Sequence, residues 1–533
     1  TAAKLNTAVN DADVNAADVT ATGSTEARTL AARAADAFNI RDFGAVGDGG
    51  STDDTDSIQA ALNAAALAGT YATVVVPKSP TNQPYIFTAL VVKSKTTFLG
   101  LGGVLKFKDS TATSGSTNYY PISNVGGYTE SVFDSLIIDG NKANNTTFNV
   151  CDAITCSGKN SSVRNCKITN PPDSGIMFSN AELGECVHNE ISGALDAGIY
   201  SNGDEPIYGG SGDTQGMIIS SNRIENCVYP GIAVKRSSRD YIVTNNTIIN
   251  CGNGITLSDF GMTSGGHPSN ILIANNYMKD IGYGHRSSGS VAEVGIQAQV
   301  TDNVVISGNM LINVSGVGID IDGSRKCVVA DNLVVGYKTN PISASGNMGI
   351  RVTGRALSLR TISAFAGDPV TISGTTSYNG TFTITKIDDD NFYFTDTWVA
   401  NDATGTLTES WVKATFTAHG QLTGDIITIA GTTSYDGTYT VTKINANDFY
   451  FRAAWVANDA TGTITQIPIG CTISNNVVRE TDYVGIRLDD IQYSTVSANI
   501  IDGIDDVGMR IGDGADNNVI SANVIEGTPD QVY

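Results

Sequence analysis

The fold is decided by residues 304–319, which read VVISGNMLINVSGVGI. A run rich in Val and Ile ends at a turn that carries Asn309, and nine residues later the pair Gly318-Ile319 belongs to the next run. Short β-branched runs bounded by Gly, Ser and Asn predict strands, because helices need longer segments and a different apolar spacing.

The same frame recurs about every 23 residues along much of the chain. Its asparagines are Asn189, Asn222, Asn246, Asn276, Asn309, Asn332, Asn476, Asn499 and Asn523. Its second half is Gly175-Ile176, Gly198-Ile199, Gly231-Ile232, Gly254-Ile255, Gly295-Ile296, Gly318-Ile319, Gly349-Ile350, Gly485-Ile486 and Gly508-Met509. A repeat of this length predicts a solenoid. The leucine register of leucine-rich repeats is absent, so we predict an all-β, right-handed, single-stranded parallel β-helix that rises about 4.8 Å per coil. Its asparagines are expected to form hydrogen-bond ladders at the bends, where they also tolerate left-handed backbone.

A second repeat interrupts the coils between Gly349 and Gly485. Two motifs return after 57 residues: Thr375-Thr376-Ser377-Tyr378 as Thr432-Thr433-Ser434-Tyr435, and 401–406 as 458–463. Removing two copies of 57 residues from the 136-residue gap leaves 22, the length of one coil. Asn379-Gly380 and Asp436-Gly437 are hairpin signals. We therefore predict two tandem small β modules inserted between coils, whose aromatic residues form either a mini-core or a platform that stacks on sugars.

Composition excludes several classes of partner and site. The 533 residues carry a net charge of −22, which argues against nucleic-acid and anionic-membrane partners. No apolar run approaches the roughly 20 residues of a membrane-spanning helix. The chain has eight cysteines, and Cys227, Cys251, Cys327 and Cys471 occupy positions that Val or Ile fills in other coils, so we predict buried, reduced thiols. We expect no metal and no cofactor, because His and Cys do not cluster at ligand spacing.

The N-terminal third contains Asn39-Ile40-Arg41-Asp42-Phe43-Gly44-Ala45-Val46-Gly47-Asp48-Gly49, followed by an Asp-rich segment and Ser57-Ile58-Gln59-Ala60-Ala61-Leu62. This pattern predicts a strand, a glycine-rich turn and a helix that Asp54 caps, with Ile58, Leu62 and Ala65 on one face. Such a helix would cover the open end of a solenoid.

The stretch around residues 20–65 resembles the start of the pectate-lyase-like superfamily as found in bacteriophage tailspikes and capsule depolymerases. The resemblance implies a homotrimeric virion spike that folds in the host cytoplasm, joins the phage tail through a preceding N-terminal part, and binds and cleaves bacterial surface polysaccharide. The Asn-Thr-Asp, Gly-His-Gly and Arg-Ile-Lys signatures of plant-type polygalacturonases are not matched, so pectin hydrolysis of that kind is not expected. The predicted organisation is a neck or linker (1–38), a cap with first coils (39–130), the β-helix (131–354), two inserted β modules (355–411 and 412–468) and C-terminal coils (469–533).

The residue after each Gly-Ile pair and the residue two further on are predicted to share an outward face. Reading these positions through the coils gives a polar surface: Tyr200, Lys235, Gln297, Gln299, Asp320, Asp322, Arg351 and Asp489 are among its members. A polar surface of amides, acids and Tyr suits an extended sugar chain. We predict that Tyr200, Lys235, Gln297, Gln299, Arg351, His285 and Arg286 bind substrate, with Arg351 suited to an acidic sugar.

Asp320 and Asp322 are the paired acids in the middle of this face. Strand alternation separates their Cα atoms by about 6.5–7 Å. This allows the carboxyl separation of roughly 6.5–9.5 Å that inverting glycosidases use, although other rotamers bring the carboxyls nearer to about 5 Å. Glu293, from the loop that enters the neighbouring coil, is a candidate replacement for either acid. The alternative is that both aspartates are solvated strand residues. A second group of acids is carried by two loops: Asp204, Glu205, Asp213 and Asp259.

Three functions remain open from the sequence. The favoured one is a tailspike depolymerase that hydrolyses glycosidic bonds with a carboxylate pair. Within this first function the alternative chemistry is that of a lyase, which would need a base such as His285, His267 or Tyr200, none of which lies in a recognisable motif. A non-catalytic receptor-binding fibre would use the same face only for adsorption, and a secreted bacterial lyase or epimerase is the third reading.

Overall fold

A computed structural model describes most of the chain. The described residues are 18–20, 27–29, 37–109, 118–146, 150–203, 213–258, 267–282, 293–336, 348–353, 355–358, 361–364, 369–386, 392–394, 406–408, 410–415, 423–444, 448–453, 456, 459, 461–512 and 514–532. They form a right-handed parallel β-helix whose coils contribute one strand each to three parallel sheets, as predicted. No helix among these residues is long and apolar enough to cross a membrane.

The chain divides into two compact units, Thr1–Gly231 with Asn245–Thr247, and Ile232–Thr244 with Ile248–Tyr533. The division falls within the strands Pro230–Lys235 and Thr247–Ile249. In the first unit, sheet 1 contains Leu90–Val91, Ile122–Ser123, Ile154–Lys159, Ile176–Glu182 and Ile199–Asn202. Sheet 2 contains Phe38–Asn39, Ala72–Pro77, Thr96–Leu101, Val132–Asp134, Ser162–Arg164, Glu185–Val187 and Ile218–Ser220. Sheet 3 contains Tyr85–Phe87, Val104–Phe107, Ile137–Asp139, Lys167–Thr169, Glu190–Ser192 and Arg223–Glu225.

The second unit repeats the three sheets. Sheet 1 contains Asn253–Ser258, Val294–Gln299, Val317–Asp322, Met348–Thr353, Val484–Leu488, Val507–Ile511 and Asp530–Val532. Sheet 2 contains Arg239–Thr244, Ser269–Ala274, Asp302–Ser307, Val328–Ala330, Thr472–Ser474, Thr495–Ser497 and Val519–Ser521. Sheet 3 contains Tyr277–Ile281, Met310–Val314, Leu333–Val335, Val477–Arg479, Ile500–Asp502 and Val524–Glu526.

The N-terminal cap contains the helix that the Asp-rich segment predicts, at Thr55–Leu67, preceded by a 3-10 helix at Ile40–Phe43. Its buried face includes Ile58, Leu62 and Ala65, as expected. Asp54 is the N-cap residue, as predicted, but its side chain makes no capping hydrogen bond. The Asp54 carboxylate accepts hydrogen bonds from the backbone N–H groups of Val46, Gly47 and Ile86 instead, at 2.6, 3.3 and 3.2 Å. Asp54 therefore joins the glycine-rich turn to the first coils, because its carboxylate accepts hydrogen bonds from both.

Further short elements complete the N-terminal part. Asp18–Thr20 pairs antiparallel with Ala27–Thr29, and Asn118–Tyr119 pairs parallel with Val150–Cys151. A second 3-10 helix spans Lys142–Asn144.

The frame asparagines form stacked ladders inside the bends. Each amide Nδ2 donates to the Oδ1 of the asparagine one coil further on, at 2.8–3.0 Å, from Asn189 to Asn246 in the first unit and from Asn276 to Asn523 in the second. Each also donates to a backbone carbonyl, as Asn309 does to Ile273. The left-handed backbone lies one residue earlier than expected, for example at Asn275 and Asn475.

The inserted segment leaves and re-enters the helix through paired strands, Arg355–Ser358 and Thr463–Gln466. The coils on either side stack directly, since Val328 pairs with Thr472 and Ile350 with Ile486. A four-stranded sheet contains Phe392–Phe394, Gly380–Lys386, Pro369–Ser373 and Thr406–Thr408. A seven-stranded sheet contains Arg355–Ser358, Thr463–Gln466, Ile426–Ala430, Gly437–Lys443, Asp448–Ala453, Ser410–Thr415 and Thr361–Ala364.

The aromatic residues of the second inserted module form a mini-core. Tyr435, Phe449 and Phe451 are buried together with Ile427 and Val441. In the first module Tyr378, which corresponds to Tyr435, is partly exposed, and the side chains of Phe392 and Phe394 lie outside what the structure describes. All eight cysteines are buried and unbridged, as the frame predicts.

Candidate functional site

Along each strand of sheet 1, successive side chains alternate between the interior of the coil and its outer face. Ile296, Ile319 and Ile350 are fully buried and pair in register. The residue after each isoleucine therefore belongs to the outer face. In the second unit these residues form one column on successive strands, which we call the polar column: Thr256, Gln297, Asp320, Arg351, Arg487 and Arg510.

Asp320 and Arg351 form a bidentate ion pair within the polar column. Arg351 Nε donates to Asp320 Oδ1 at 2.8 Å, and Nη2 donates to Oδ2 at 2.7 Å. The Asp320 side chain is only 1% exposed, whereas 28% of the Arg351 side chain is exposed. The hydrogen bonds to Asp320 raise the pKa of Arg351 above its usual value. The carboxylate of Asp320 is therefore covered, while part of the guanidinium still faces solvent.

Asp322 has a more open environment. It pairs with Gln299 on one neighbouring strand and with Thr353 on the other, and Gln299 Nε2 donates to its carboxylate at 3.0 Å. Asp322 is partly exposed, unlike Asp320. The structure therefore places Gln297, Gln299, Asp320, Asp322 and Arg351 on adjacent strands of one surface.

Three arginines follow one another along the polar column. Arg351 pairs with Arg487, which pairs with Arg510. Arg487 Nε donates to Asp489 at 2.5 Å, and Arg510 Nη1 donates to the Tyr483 hydroxyl at 3.0 Å. Neighbouring strands lie about 4.8 Å apart, so the Cα atoms of the three arginines recur at about that interval.

Glu293 lies at the other end of its strand. Val294 pairs with Val317, so Glu293 lies beside Gly316, four residues before Asp320. This corresponds to about 13 Å along the strand direction. The Ser315 hydroxyl donates to the Glu293 carboxylate. The structure therefore does not bring Glu293 together with the two aspartates.

The remaining predicted residues are spread over the chain. Tyr200 pairs with Met177 in the first unit and is partly exposed. Lys235 is partly exposed at the end of Pro230–Lys235. Asp213 is exposed. Five predicted residues lie outside the described residues: Asp204, Glu205, Asp259, His285 and Arg286.

A cluster of three aspartates was not predicted. Asp152, Asp173 and Asp196 lie in the turn that precedes sheet 1 on successive coils of the first unit. Asp152 is buried and accepts from the Ser174 backbone N–H at 3.2 Å. Asp173 is partly exposed and accepts from the Cys151 backbone N–H at 3.3 Å.

The cluster perturbs its own ionisation. Burial, followed by the charge of Asp196, raises the pKa of Asp173 to about 7. Burial, followed by the charges of Asp173 and Asp196, raises the pKa of Asp152 well above its usual value. A sequence signal was present, because Asp173 and Asp196 both lie three residues before the isoleucine of their coil. The outward columns of sheet 1 do not include this turn.

A buried charged contact also links the inserted segment to the coils of the second unit. Arg325 Nη1 donates to the Asp425 carboxylate, and both side chains are almost fully buried. Arg325 Nη2 lies 3.4 Å from His267 Nε2. Burial, together with the charges of Arg325 and Lys443, lowers the pKa of His267 to about 4. His267 is therefore a neutral part of this contact at physiological pH.

Two family models match parts of the chain. Residues 37–256 match the model for rhamnogalacturonase A/epimerase, pectate lyase-like. Residues 386–532 match the model for periplasmic copper-binding protein (NosD). No curated protein sequence matches the chain.

Solved structures share the fold at low sequence identity. The A-module of Azotobacter vinelandii mannuronan C-5 epimerase AlgE6 is 15% identical with a TM-score of 0.56, over 91% of this chain and 98% of that chain. The AlgE4 A-module is 16% identical with a TM-score of 0.55, over 93% and 97%. The N-terminal fragment of bacteriophage phi29 gene product 12 is 14% identical with a TM-score of 0.52, over 93% and 71%. The chain therefore has the right-handed parallel β-helix fold that these structures share, and residues 37–256 are the part that matches the rhamnogalacturonase A/epimerase, pectate lyase-like model.

Proposed function

We propose that the chain is the polysaccharide-binding and polysaccharide-cleaving part of a bacteriophage tailspike. The observation that carries the proposal is the polar column with its neighbours, in which Gln297, Gln299, Asp322 and Arg351 lie on three adjacent strands of one surface. The resemblance of residues 20–65 to tailspikes supports the phage assignment, as does the fold shared with phi29 gene product 12. The proposed particle is a homotrimer that joins the phage tail and acts on bacterial capsule.

A repeating surface suits a repeating ligand. Each coil presents its side chains about 4.8 Å further along the helix axis. An extended polysaccharide that follows this axis meets amide groups at Gln297 and Gln299 and guanidinium groups at Arg351 and Arg487. Amides and guanidinium N–H groups donate to sugar hydroxyl and carboxylate oxygens. Arg351 and Arg487 therefore favour an acidic sugar.

The proposed chemistry is hydrolysis by two carboxyl groups. In an inverting mechanism one carboxylic acid protonates the leaving oxygen and the other carboxylate activates water, at a carboxyl separation of roughly 6.5–9.5 Å. Asp322 is open enough to meet substrate, whereas Arg351 holds Asp320. In this mechanism Asp320 takes part in catalysis only after Arg351 has released its carboxylate and donates its hydrogen bonds to the substrate instead. A bound sugar carboxylate would take up these donors.

Asp173 with Asp196 is a second candidate pair for the same reaction. A pKa of about 7 keeps Asp173 partly protonated at neutral pH, which is what a general acid needs. Asp173 is also partly exposed. The two pairs make different predictions for mutagenesis, since each lies in a different unit of the chain.

The alternatives are a lyase and a non-catalytic receptor-binding fibre. His267 is a poor base for β-elimination because it contacts Arg325 and its pKa is lowered to about 4. A lyase would leave unsaturated uronate ends that absorb ultraviolet light, whereas hydrolysis would leave saturated reducing ends. A fibre would bind polysaccharide without shortening it.

The test is to incubate the purified chain with a panel of capsular polysaccharides and to measure new reducing ends, ultraviolet absorbance and product size. Hydrolysis predicts new saturated ends. The variants Asp320→Asn and Asp322→Asn should each lower the rate at least about 100-fold, the contribution typical of acid–base groups. If instead Asp173→Asn and Asp196→Asn abolish activity, the site lies in the turn of the first unit. Binding without any fragments would overturn the enzyme proposal.

A further inference from the structure

Two cysteines that lie far apart in sequence are neighbours across the inserted segment. Cys327 precedes the strand Val328–Ala330, and Cys471 precedes Thr472–Ser474. Val328 pairs in parallel register with Thr472, and the Thr472 N–H donates to the Cys327 carbonyl at 2.8 Å. Cys327 and Cys471 therefore occupy equivalent positions on stacked coils, although 144 residues separate them.

The Cα spacing of stacked residues falls within the range that disulfides span. Stacked residues on neighbouring strands lie about 4.8 Å apart. Disulfides span Cα distances of about 4.4–6.8 Å. Both side chains are buried, at 0% and 2% exposure, on the interior side of the coil. The thiols also share one backbone environment, since Cys327 Sγ donates to the Arg325 carbonyl at 3.5 Å and Cys471 Sγ to the Ser324 carbonyl at 4.0 Å.

The two thiols affect each other's ionisation. The proximity of the partner thiol is the main cause that raises the pKa of Cys327 and lowers the pKa of Cys471. Cys471 is therefore the thiol that ionises first, and the thiolate is the nucleophile in disulfide exchange. Cys186, in the first unit, is different. Burial is the main cause that raises the pKa of Cys186, and the thiols of Cys166 and Cys156 act on it only through charge.

We propose that Cys327 and Cys471 are a dithiol site that a small disulfide such as glutathione disulfide oxidises to an intrachain disulfide. The Cys471 thiolate attacks one sulfur of the oxidant and releases one glutathione thiolate. The Cys327 thiolate, after losing its proton to water, attacks the mixed disulfide and releases the second. One disulfide is formed, one is reduced, and two protons are released.

The bond would join the coil before the inserted modules to the coil after them. It closes a loop that contains the whole inserted segment, 355–468. A crosslink over a long loop restricts the unfolded chain, which favours the folded state. The site is reduced when the chain folds among thiols and is oxidised in a disulfide-permissive environment. Burial makes the reaction dependent on local opening or on folding.

The test is to refold the full chain in a glutathione disulfide and glutathione buffer and in glutathione alone. Free thiols are then alkylated with N-ethylmaleimide, and peptides are mapped by mass spectrometry without reduction. The expected result is one predominant linkage, Cys327–Cys471, with six alkylated cysteines. The linkage should be absent from Cys327→Ser and unchanged in the control Cys151→Ser.

The oxidised chain should also resist urea better than the reduced chain, and the difference should disappear in Cys327→Ser. Eight alkylated cysteines after oxidative refolding would overturn the proposal. A predominant linkage elsewhere, such as Cys166–Cys186, would also overturn it. Measurement of linkage and stability on the wild type keeps the test independent of whether the serine variants fold.

Discussion

At the residue scale, the central feature is the unequal environment of two aspartates on one strand. Asp320 and Asp322 lie two residues apart on the same face of one strand. Arg351 forms an ion pair with Asp320, whereas Gln299 donates a hydrogen bond to Asp322. A buried carboxylate depends on its partner, because a desolvated charge without compensation is costly. Asp320 therefore contributes to the position of Arg351 whatever its part in chemistry.

Removal of the Arg351 side chain should destabilise the protein strongly. Arg351→Ala leaves Asp320 buried without its ion pair, and such a loss costs about 3–5 kcal/mol. Arg487→Ala is the matched control, because Asp489 is 17% exposed against 1% for Asp320, so water can solvate the carboxylate that is left behind and the loss should be smaller. Urea unfolding of both variants checks the difference. Equal effects would show that the burial of Asp320 has no energetic consequence.

The aspartate cluster of the first unit predicts a pH dependence of stability. Asp173 has a pKa of about 7 in the folded chain, against 3.8 for the ordinary group. Below about pH 4 Asp173 is protonated in both the folded and the unfolded chain, and its favourable contribution to the free energy of unfolding is fully present. Between about pH 4 and 7 the unfolded chain releases its proton first, so the contribution is lost as pH rises.

Asp173→Asn should therefore unfold near the wild-type temperature at about pH 4 and at a higher temperature than wild type at about pH 8. Differential scanning calorimetry at several pH values measures the difference between the two proteins. A variant that is less stable than wild type at the higher pH would contradict the raised pKa.

At the element scale, the sequence frame has two physical causes. The asparagines satisfy one another and the backbone inside the bend, as Asn309 does with Asn332 and Ile273. The glycines permit close stacking. A Cβ on Gly318 would lie 2.6 Å from the Gly349 carbonyl oxygen and 2.4 Å from Val334. The repeat is therefore readable in the sequence because each coil imposes the same steric demand on the next.

Substitution of a ladder asparagine should destabilise the protein most in the buried middle of the ladder. Asn309→Ala removes the acceptor of both the backbone N–H and Nδ2 of Asn276 and leaves buried groups unpaired. Unpaired buried groups cost about 1–3 kcal/mol each, so a loss of at least about 2 kcal/mol is expected. Asn523→Ala is the control, since Asn523 has the same role but is partly exposed. A similar urea midpoint for both variants would contradict a buried ladder.

At the scale of the whole molecule, the sequence predicts the coils and their interruption better than it predicts the site. The fold follows from repeated residues, so Asn309, Gly318 and Ile319 carry it independently of distant parts of the chain. The candidate site depends on which side chains of one coil stack on those of the next. The polar column shows Asp320 beside Arg351, but their burial is set by side-chain packing that the frame does not encode. The Asp173 turn and the Arg325–Asp425 contact lie outside the outward columns, and the latter depends on how the inserted segment folds.

The Arg325–Asp425 pair should hold the inserted segment against the coils. Asp425→Ala removes the nearer carboxylate of the buried Arg325 and leaves it with Asp302, whose carboxylate lies 3.9 Å away, so we expect a loss of up to about 3–5 kcal/mol. Replacing both side chains with apolar groups, Arg325→Met with Asp425→Leu, should recover much of that stability, because apolar residues of similar volume avoid the desolvation cost. Thermal unfolding and limited proteolysis at the module boundaries measure the stability of the single and the double variant. A double variant as unstable as Asp425→Ala would show that the charges are needed beyond packing.

The most direct measurement is a crystal structure of the Asp322→Asn variant with an oligosaccharide from a capsule that the wild type shortens. We expect the sugar chain to lie along the outer face of sheet 1, with hydrogen bonds from Gln297 and Gln299 and an acidic group at Arg351. An oligosaccharide bound at the Asp173 turn, or on the inserted modules with an empty sheet 1 face, would contradict it.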